Sequence, residues 1–262
     1  MTARVRAAVG LVVAMAAAAT ATCASDSEPV AGDQRRQELL VSVAASLTDA
    51  FAEITEDFEA ANPGVAVVLN LDSSATLASQ ISSGAPVDVF ASADEPNMAE
   101  VVDSGDVVGE PVEFARNGLV IVTAPGNPLG IEDQDDLAQV TESGEVVALC
   151  VATAPCGTLA DRALGQGEAV LSEDRVTRAA NARATLAAVT RGDAAAALVY
   201  ASDALAAGDA VEIVRLKGRQ GSNRYLVAAL ANGEADGDLA SAFVGFVASE
   251  DGRRVLDRWG FE

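Results

Sequence analysis

The sequence predicts an α/β fold, and three observations carry that prediction. Short apolar stretches alternate with amphipathic ones along nearly the whole chain, the order that builds parallel strands with helices on both faces of a sheet. Twice an apolar run ends on a hydroxyl that opens a helical stretch, at Ser46 and at Ser74. Half of the 262 residues are hydrophobic, enough for one large domain or two lobes of ordinary size.

At the N-terminus, Arg4 and Arg6 precede a small-apolar run from Ala7 to Ala19, then Thr20-Ala21-Thr22-Cys23 and a polar stretch. That run is shorter than the ~20 residues of a membrane span, and its basic start and small-residue end read as a secretory signal. Two processing outcomes stay open: cleavage after Ala19-Thr20-Ala21, or lipid attachment at Cys23, whose setting resembles a bacterial lipoprotein box. Residues 1–37 are taken as signal peptide and polar tether.

The fold is expected to start near Glu38, with a strand from Leu39 to Ala44. A helix then opens at Ala45-Ser46-Leu47-Thr48-Asp49, because Leu47, Ala50, Phe51, Ile54 and Phe58 recur at helical spacing, and it stops at Asn62-Pro63-Gly64. A strand from Val65 to Leu71 runs into Asp72-Ser73-Ser74 and a second helix ending at Gly84. Val87 to Ala91 is a short strand, and Ser92-Ala93-Asp94-Glu95-Pro96 caps a third helix through about Ser104. Leu119 to Val122 is a strand reaching the turn Pro125-Gly126-Asn127-Pro128. There follow a helix near Asp135 to Val140, a strand from Val146 to Val151, and helices beginning at Cys156-Gly157-Thr158 and near Asn181-Ala182-Arg183. Strands from Ala195 to Tyr200, Val211 to Val214 and Arg224 to Leu230, a helix from Leu239 to Ala248 and a last turn around Arg253 to Trp259 close the chain. Without a repeat period, two discontinuous lobes joined by two crossings fit best: residues 38–118 plus 222–262, and residues 119–221.

Composition removes several functions. Thirty-nine Asp plus Glu against 17 Lys plus Arg argue against a nucleic-acid partner, which is gripped by clustered cations. With no histidine, Ser-His-Asp and Cys-His catalysis and histidine-ligated zinc are absent. An exported hydrolase using Ser46 or Ser74 as nucleophile is the remaining enzyme reading. It lacks a base, because Lys217 is the only lysine, and neither serine sits in a Gly-x-Ser-x-Gly elbow. Cys150 and Cys156 form an even pair in an oxidising compartment, which favours a local disulfide over two reduced buried thiols.

Taken singly, Ser46 and Ser74 read as helix N-caps. Two such serines, each following a strand, make a binding role as good a reading, since ligands of open α/β sheets lie outside the carboxyl ends of the strands. Free N–H groups and the positive end of the helix dipole gather there and can hold an anion without a charged side chain.

Three ordered blocks carry a resemblance: Ala44-Ala45-Ser46-Leu47-Thr48-Asp49-Ala50-Phe51, Ser73-Ser74-Ala75-Thr76-Leu77-Ala78-Ser79-Gln80-Ile81, and Gly84-Ala85-Pro86-Val87-Asp88-Val89-Phe90-Ala91-Ser92-Ala93-Asp94. With Pro155-Cys156-Gly157, Ala182-Arg183, Leu198-Val199-Tyr200-Ala201-Ser202-Asp203 and Trp259-Gly260-Phe261, the chain resembles the molybdate-binding proteins of molybdate ABC transporters over everything after the tether. The resemblance implies a two-lobed periplasmic binding protein fold of type II, each lobe a sheet flanked by helices, closing on a tetrahedral dianion. It implies no enzyme activity, no cofactor and no metal ligated by the protein, molybdenum entering as its oxyanion, molybdate or tungstate.

The implied ligand set is Ser46 and Ser74 through hydroxyls and main-chain amides, Cys156 and Ala182 through main-chain amides, and Tyr200 through its hydroxyl. From the residues alone, Cys156 and Ala182 are ordinary helix starts, and the Tyr200 hydroxyl could equally sit in water at a cleft rim. Asp72 departs from the family's usual neutral residue and would oppose an anion unless it points away. The implied partners are the oxyanion and an ABC transporter permease. The implied protein is an exported monomer, periplasmic or held by lipid on the outer face of the cytoplasmic membrane. Sulfate or phosphate is the competing ligand. With no titrating donor in the set, affinity is expected to be nearly flat from about pH 6 to 8.

Overall fold

The computed structural model describes residues 36–165, 170–217 and 221–262. The signal segment and Cys23 lie outside the described residues. Strand β1 (Gln37–Ala44), strand β2 (Val65–Asp72) and strand β3 (Val89–Ser92) lie side by side and parallel, with β1 in the middle. Helix α1 (Thr48–Ala61) returns the chain from β1 to β2, and α2 (Ser74–Ser82) from β2 towards β3. β1 is buried from Val41 onward, as suits a strand paired on both sides and covered on both faces.

After α3 (Glu95–Ser104) comes β4 (Val107–Thr123), which is 17 residues long. Sequence reading finds only its apolar end, Leu119 to Val122. Gly109 and Pro111 interrupt the pattern earlier, and the strand there is bulged between Val108 and Val112 and between Glu113 and Ala115. Its first part pairs antiparallel with β9 (Ser222–Leu230), as far as Gly118 opposite Ser222. From Leu119 to Thr123 its partners are β7 (Ala196–Tyr200) and β8 (Glu212–Val214).

The segment between holds α4 (Asp136–Glu142), β5 (Val147–Cys150), α5 (Pro155–Gly165), β6 (Val176–Ala179), α6 (Ala182–Thr190) and α7 (Ala201–Ala207). β5 pairs parallel with both β6 and β7. Helices α8 (Gly237–Val247) and α9 (Glu250–Arg258) end the chain. The strand order is β2-β1-β3-β9-β4-β7-β5-β6, with β8 beside β4. The sheet is therefore mixed, not wholly parallel as strand-helix alternation suggests, because β4 and β9 run antiparallel to their neighbours.

A chain of ring contacts joins the two groups of elements. Phe58 packs on Phe243 and Phe246, Phe51 on Phe243 and Phe114, and Phe114 on Tyr225, which meets Tyr200 and Phe261. Phe51, Phe243, Tyr200 and Tyr225 are fully buried. Each such ring contributes the burial of a large apolar surface plus ~0.5–1.5 kcal/mol per edge-to-face pair. Of its two tyrosines, Tyr200 lines the site and Tyr225 stands behind it.

Candidate functional site

Parallel register builds the first side of the site. Ala44 at the end of β1 stands opposite Asp72 at the end of β2, so two residues further along each strand Ser46 and Ser74 arrive at the same level. Neither is a helix cap. Ser46 sits inside a short 3-10 turn, Ala45–Leu47, and α1 begins without a side-chain cap. Ser73 caps α2 by accepting from the Thr76 N–H at 3.2 Å, which leaves Ser74 as the first helical residue. The Ser74 hydroxyl instead accepts from the Ala93 N–H at 2.8 Å, just past β3. The Ser46 hydroxyl shares a hydrogen bond of 2.9 Å with the Tyr225 hydroxyl, and either group can be the donor.

The second side comes from the carboxyl ends of β5, β6 and β7. Cys150, the last residue of β5, is bonded to Cys156 in the first turn of α5, with their Cα atoms 5.8 Å apart, inside the normal range for a disulfide. Next to it, a side chain on Gly157 would put its Cβ 2.0 Å from the Val151 carbonyl oxygen, so only glycine lets α5 start this close to the strand. With its sulfur bonded and its side chain buried, Cys156 has only its main chain to offer. Ala182 is likewise the first residue of α6, capped by Asn181 through the Ala184 N–H at 3.0 Å. N–H groups of such first turns have no intrahelical acceptor.

Tyr200 ends β7. It is 1 % exposed, so the reading of its hydroxyl in water at a rim is wrong: the ring is enclosed among the other aromatics. Its oxygen accepts from Asn223 Nδ2 at 2.8 Å. That amide also faces the Pro155 carbonyl at 3.3 Å, which fixes its NH₂ group as the one pointing here. Burial pushes the Tyr200 phenol far above its ordinary pKa, outweighing the opposing pull of the Asn223 bond. The hydroxyl therefore keeps its proton.

All five expected residues, Ser46, Ser74, Cys156, Ala182 and Tyr200, line one small cavity. Ala44, Ala45, Ser73, Ala93, Pro155 and Asn181 complete the lining, which includes no charged side chain. Asp72 is not among them. Its carboxylate accepts from the Ser73 N–H at 2.7 Å and from Asn181 Nδ2 at 3.3 Å, so it is held aside by two donors.

A family model described as bacterial extracellular solute-binding protein matches residues 39–262. This chain belongs to that family. The molybdate-binding protein ModA of Mycobacterium tuberculosis is 37 % identical over 256 residues, covering 96 % of both chains. Among solved structures, the periplasmic molybdate-binding protein of Azotobacter vinelandii is 19 % identical, with a TM-score of 0.74 over 86 % of this chain and 98 % of that one. The sulfate-binding protein SubI of Mycobacterium tuberculosis is 20 % identical, with a TM-score of 0.75 over 86 % of each chain. At these identities the two structures establish the fold, that of two-lobed type II periplasmic binding proteins. The solute-binding protein is thus exported by family and is not an enzyme. Among its described residues no helix is long and apolar enough to cross a membrane.

Behind the lining, the solute-binding protein carries groups to which sequence reading assigns no role. Arg183, next to Ala182, donates to Asp49 in the first turn of α1, and its Nε lies 3.0 Å from Asp203 Oδ1. Asp203, in α7, is fully buried, and burial pushes its carboxyl up to about 7 against the pull of Arg183 and the Tyr200 backbone. Asn223 and Tyr225 both come from β9. Period-two alternation could have shown that they share a face, but nothing in the sequence names their partners.

Proposed function

We propose that the protein captures molybdate, and tungstate as well, outside the cytoplasmic membrane and delivers it to an ABC transporter permease. The ligand is held by the Ser46, Ser74 and Tyr200 hydroxyls and by main-chain N–H groups at Ser46, Ser74, Cys156 and Ala182. The observation that supports this most is the convergence of those five residues on one cavity whose lining has hydroxyls and helix starts but no charge. A hydrogen bond to a charged group contributes ~1.5–3 kcal/mol net, so several of them can outweigh the cost of ordering the cleft.

Two of the three hydroxyls already accept an N–H, Ser74 from Ala93 and Tyr200 from Asn223, which leaves their protons to give. A site offering protons suits an oxyanion that carries none of its own. Molybdate, tungstate and sulfate are fully ionised at neutral pH, whereas hydrogen phosphate brings an O–H that needs an acceptor. Calorimetric titration of the mature protein is therefore expected to rank molybdate and tungstate first and hydrogen phosphate last, with sulfate separated by size. Tightest binding to phosphate would overturn the reading.

Residues 38–118 with 222–262 form one lobe in this account, and residues 119–221 the other. In support, β4 changes partners after Gly118 and β9 begins at Ser222. The protein works as a monomer, free in the periplasm or anchored through a lipid on Cys23. Reducing the Cys150–Cys156 bridge is expected to lower stability by roughly 2 kcal/mol, the size for so short a loop, while molybdate affinity changes little because the Cys156 N–H remains. Denaturant titration with and without reductant, paired with calorimetry, checks both halves. An affinity that collapses on reduction, in protein that stays folded, would mean that the bridge itself orients the donor.

A further inference from the structure

Ser46 shares a hydrogen bond whose direction the geometry leaves open, and its partner, Tyr225, is not part of the lining. Tyr225 stands on β9 two residues after Asn223, so the two side chains leave the strand on the same side. Asn223 reaches Tyr200, and Tyr225 reaches Ser46 while its hydroxyl also meets that of Tyr200. One strand thus stands behind a hydroxyl from each side of the site.

We propose that Tyr225 is a positioning residue that donates its phenolic proton to Ser46 Oγ, so that the Ser46 proton is turned into the cavity and towards the bound oxyanion. The inference rests on the oxyanion reading above. Three features carry it. The Tyr225 ring is 0 % exposed and sits edge-on to Phe114, Tyr200 and Phe261, so its hydroxyl cannot swing away. Burial holds the phenol well above its ordinary pKa, so it has a proton to give at every working pH. Donation by Tyr225 also completes a pattern: Ser74 accepts from Ala93, Tyr200 from Asn223 and Ser46 from Tyr225, each hydroxyl keeping its own proton for the ligand. Chains of hydrogen bonds polarise one another, so each hydroxyl donates more strongly than it would alone.

The test is calorimetric titration with sodium molybdate of the parent, Tyr225→Phe, Ser46→Ala and the double variant, with thermal melts alongside. Tyr225→Phe keeps the ring and removes one neutral hydrogen bond, and is expected to weaken binding roughly three- to tenfold. In the Ser46→Ala background the same change is expected to cost clearly less, because only the contact of the Tyr225 hydroxyl with Tyr200 is left to reach the ligand. Incorporating 3-fluorotyrosine at position 225, which packs like tyrosine but is a stronger donor, is expected to tighten binding in the parent. Weaker binding with the fluorinated residue would mean that Ser46 donates to Tyr225, and overturns the proposal. So does an equal loss from Tyr225→Phe in both backgrounds, or a folded Tyr225→Phe protein that binds like the parent. A parent that takes up no oxyanion overturns the underlying reading, and this inference with it.

Discussion

Molybdate binding is expected to fall by roughly 10²–10⁴-fold when Ser46 and Ser74 are both changed to Ala. Each hydroxyl bond to the dianion is worth ~1.5–3 kcal/mol, and ~1.4 kcal/mol is a factor of ten. The two losses need not add cleanly, since both serines bind the same ion. The side effects differ. Ser74→Ala strips the acceptor from the buried Ala93 N–H, so about 1–3 kcal/mol of stability goes with it. Ser46→Ala takes one of two hydroxyl partners from Tyr225 in a buried, aromatic setting and leaves it Tyr200. A thermal melt of each single variant therefore belongs beside the calorimetry. If the folded double variant binds within about threefold of the parent, the anion sits elsewhere.

The contrast between Ser74 and Tyr225 explains what sequence could reveal. Ser46 and Ser74 were legible because a hydroxyl where an apolar run meets a helical one is a local signal, and because parallel register brings the two junctions together. The N-cap reading of both serines failed at the same scale: Ser73, one residue earlier, took the capping position in α2. Cys150 and Cys156 were legible from count and compartment. Asn223 and Tyr225 were not, because their partners are 23 and 179 residues away and only the antiparallel pairing of β9 with β4 and β3 brings them there. The apolar pattern reveals a quarter of β4, since its bulged first half breaks alternation at Gly109 and Pro111. Helix α7 was missed because Ala201–Ala207 is short and alanine-rich, so its faces have no hydrophobic contrast to read.

The expected donor set holds no group that titrates around neutrality, but Asp203 behind it does. This carboxyl lies three residues beyond Tyr200, and Arg183, the cation beside it, is shared with Asp49. Its pKa in the folded protein is about 7, against 3.8 for an ordinary Asp, with burial as the main cause. The folded state therefore keeps a proton that the unfolded chain gives up. Stability from this group is fully present below about pH 4, declines as pH rises, and is gone above about 7. At 1.36 kcal/mol per unit, the whole span is on the order of 4 kcal/mol at most. Other carboxyls pull the opposite way: Glu53 and Glu113 are held below their usual range by hydrogen bonds from Trp259 and Arg258, and from Arg224 and Arg116. Their contribution is lost as pH falls, so the wild-type profile mixes both signs. Asp203→Asn separates them, because Asn keeps the shape and never ionises. Its stability relative to wild type, from denaturant titrations at pH 4 to 8, is expected to rise with pH and level off near 8. A bound dianion would also disfavour the ionised carboxylate beneath Tyr200, so wild-type molybdate affinity should decline above pH 7 while Asp203→Asn stays flat. If the stability difference is the same at pH 4 and pH 8, Asp203 is ionised throughout, and the Arg183 pair outweighs burial after all.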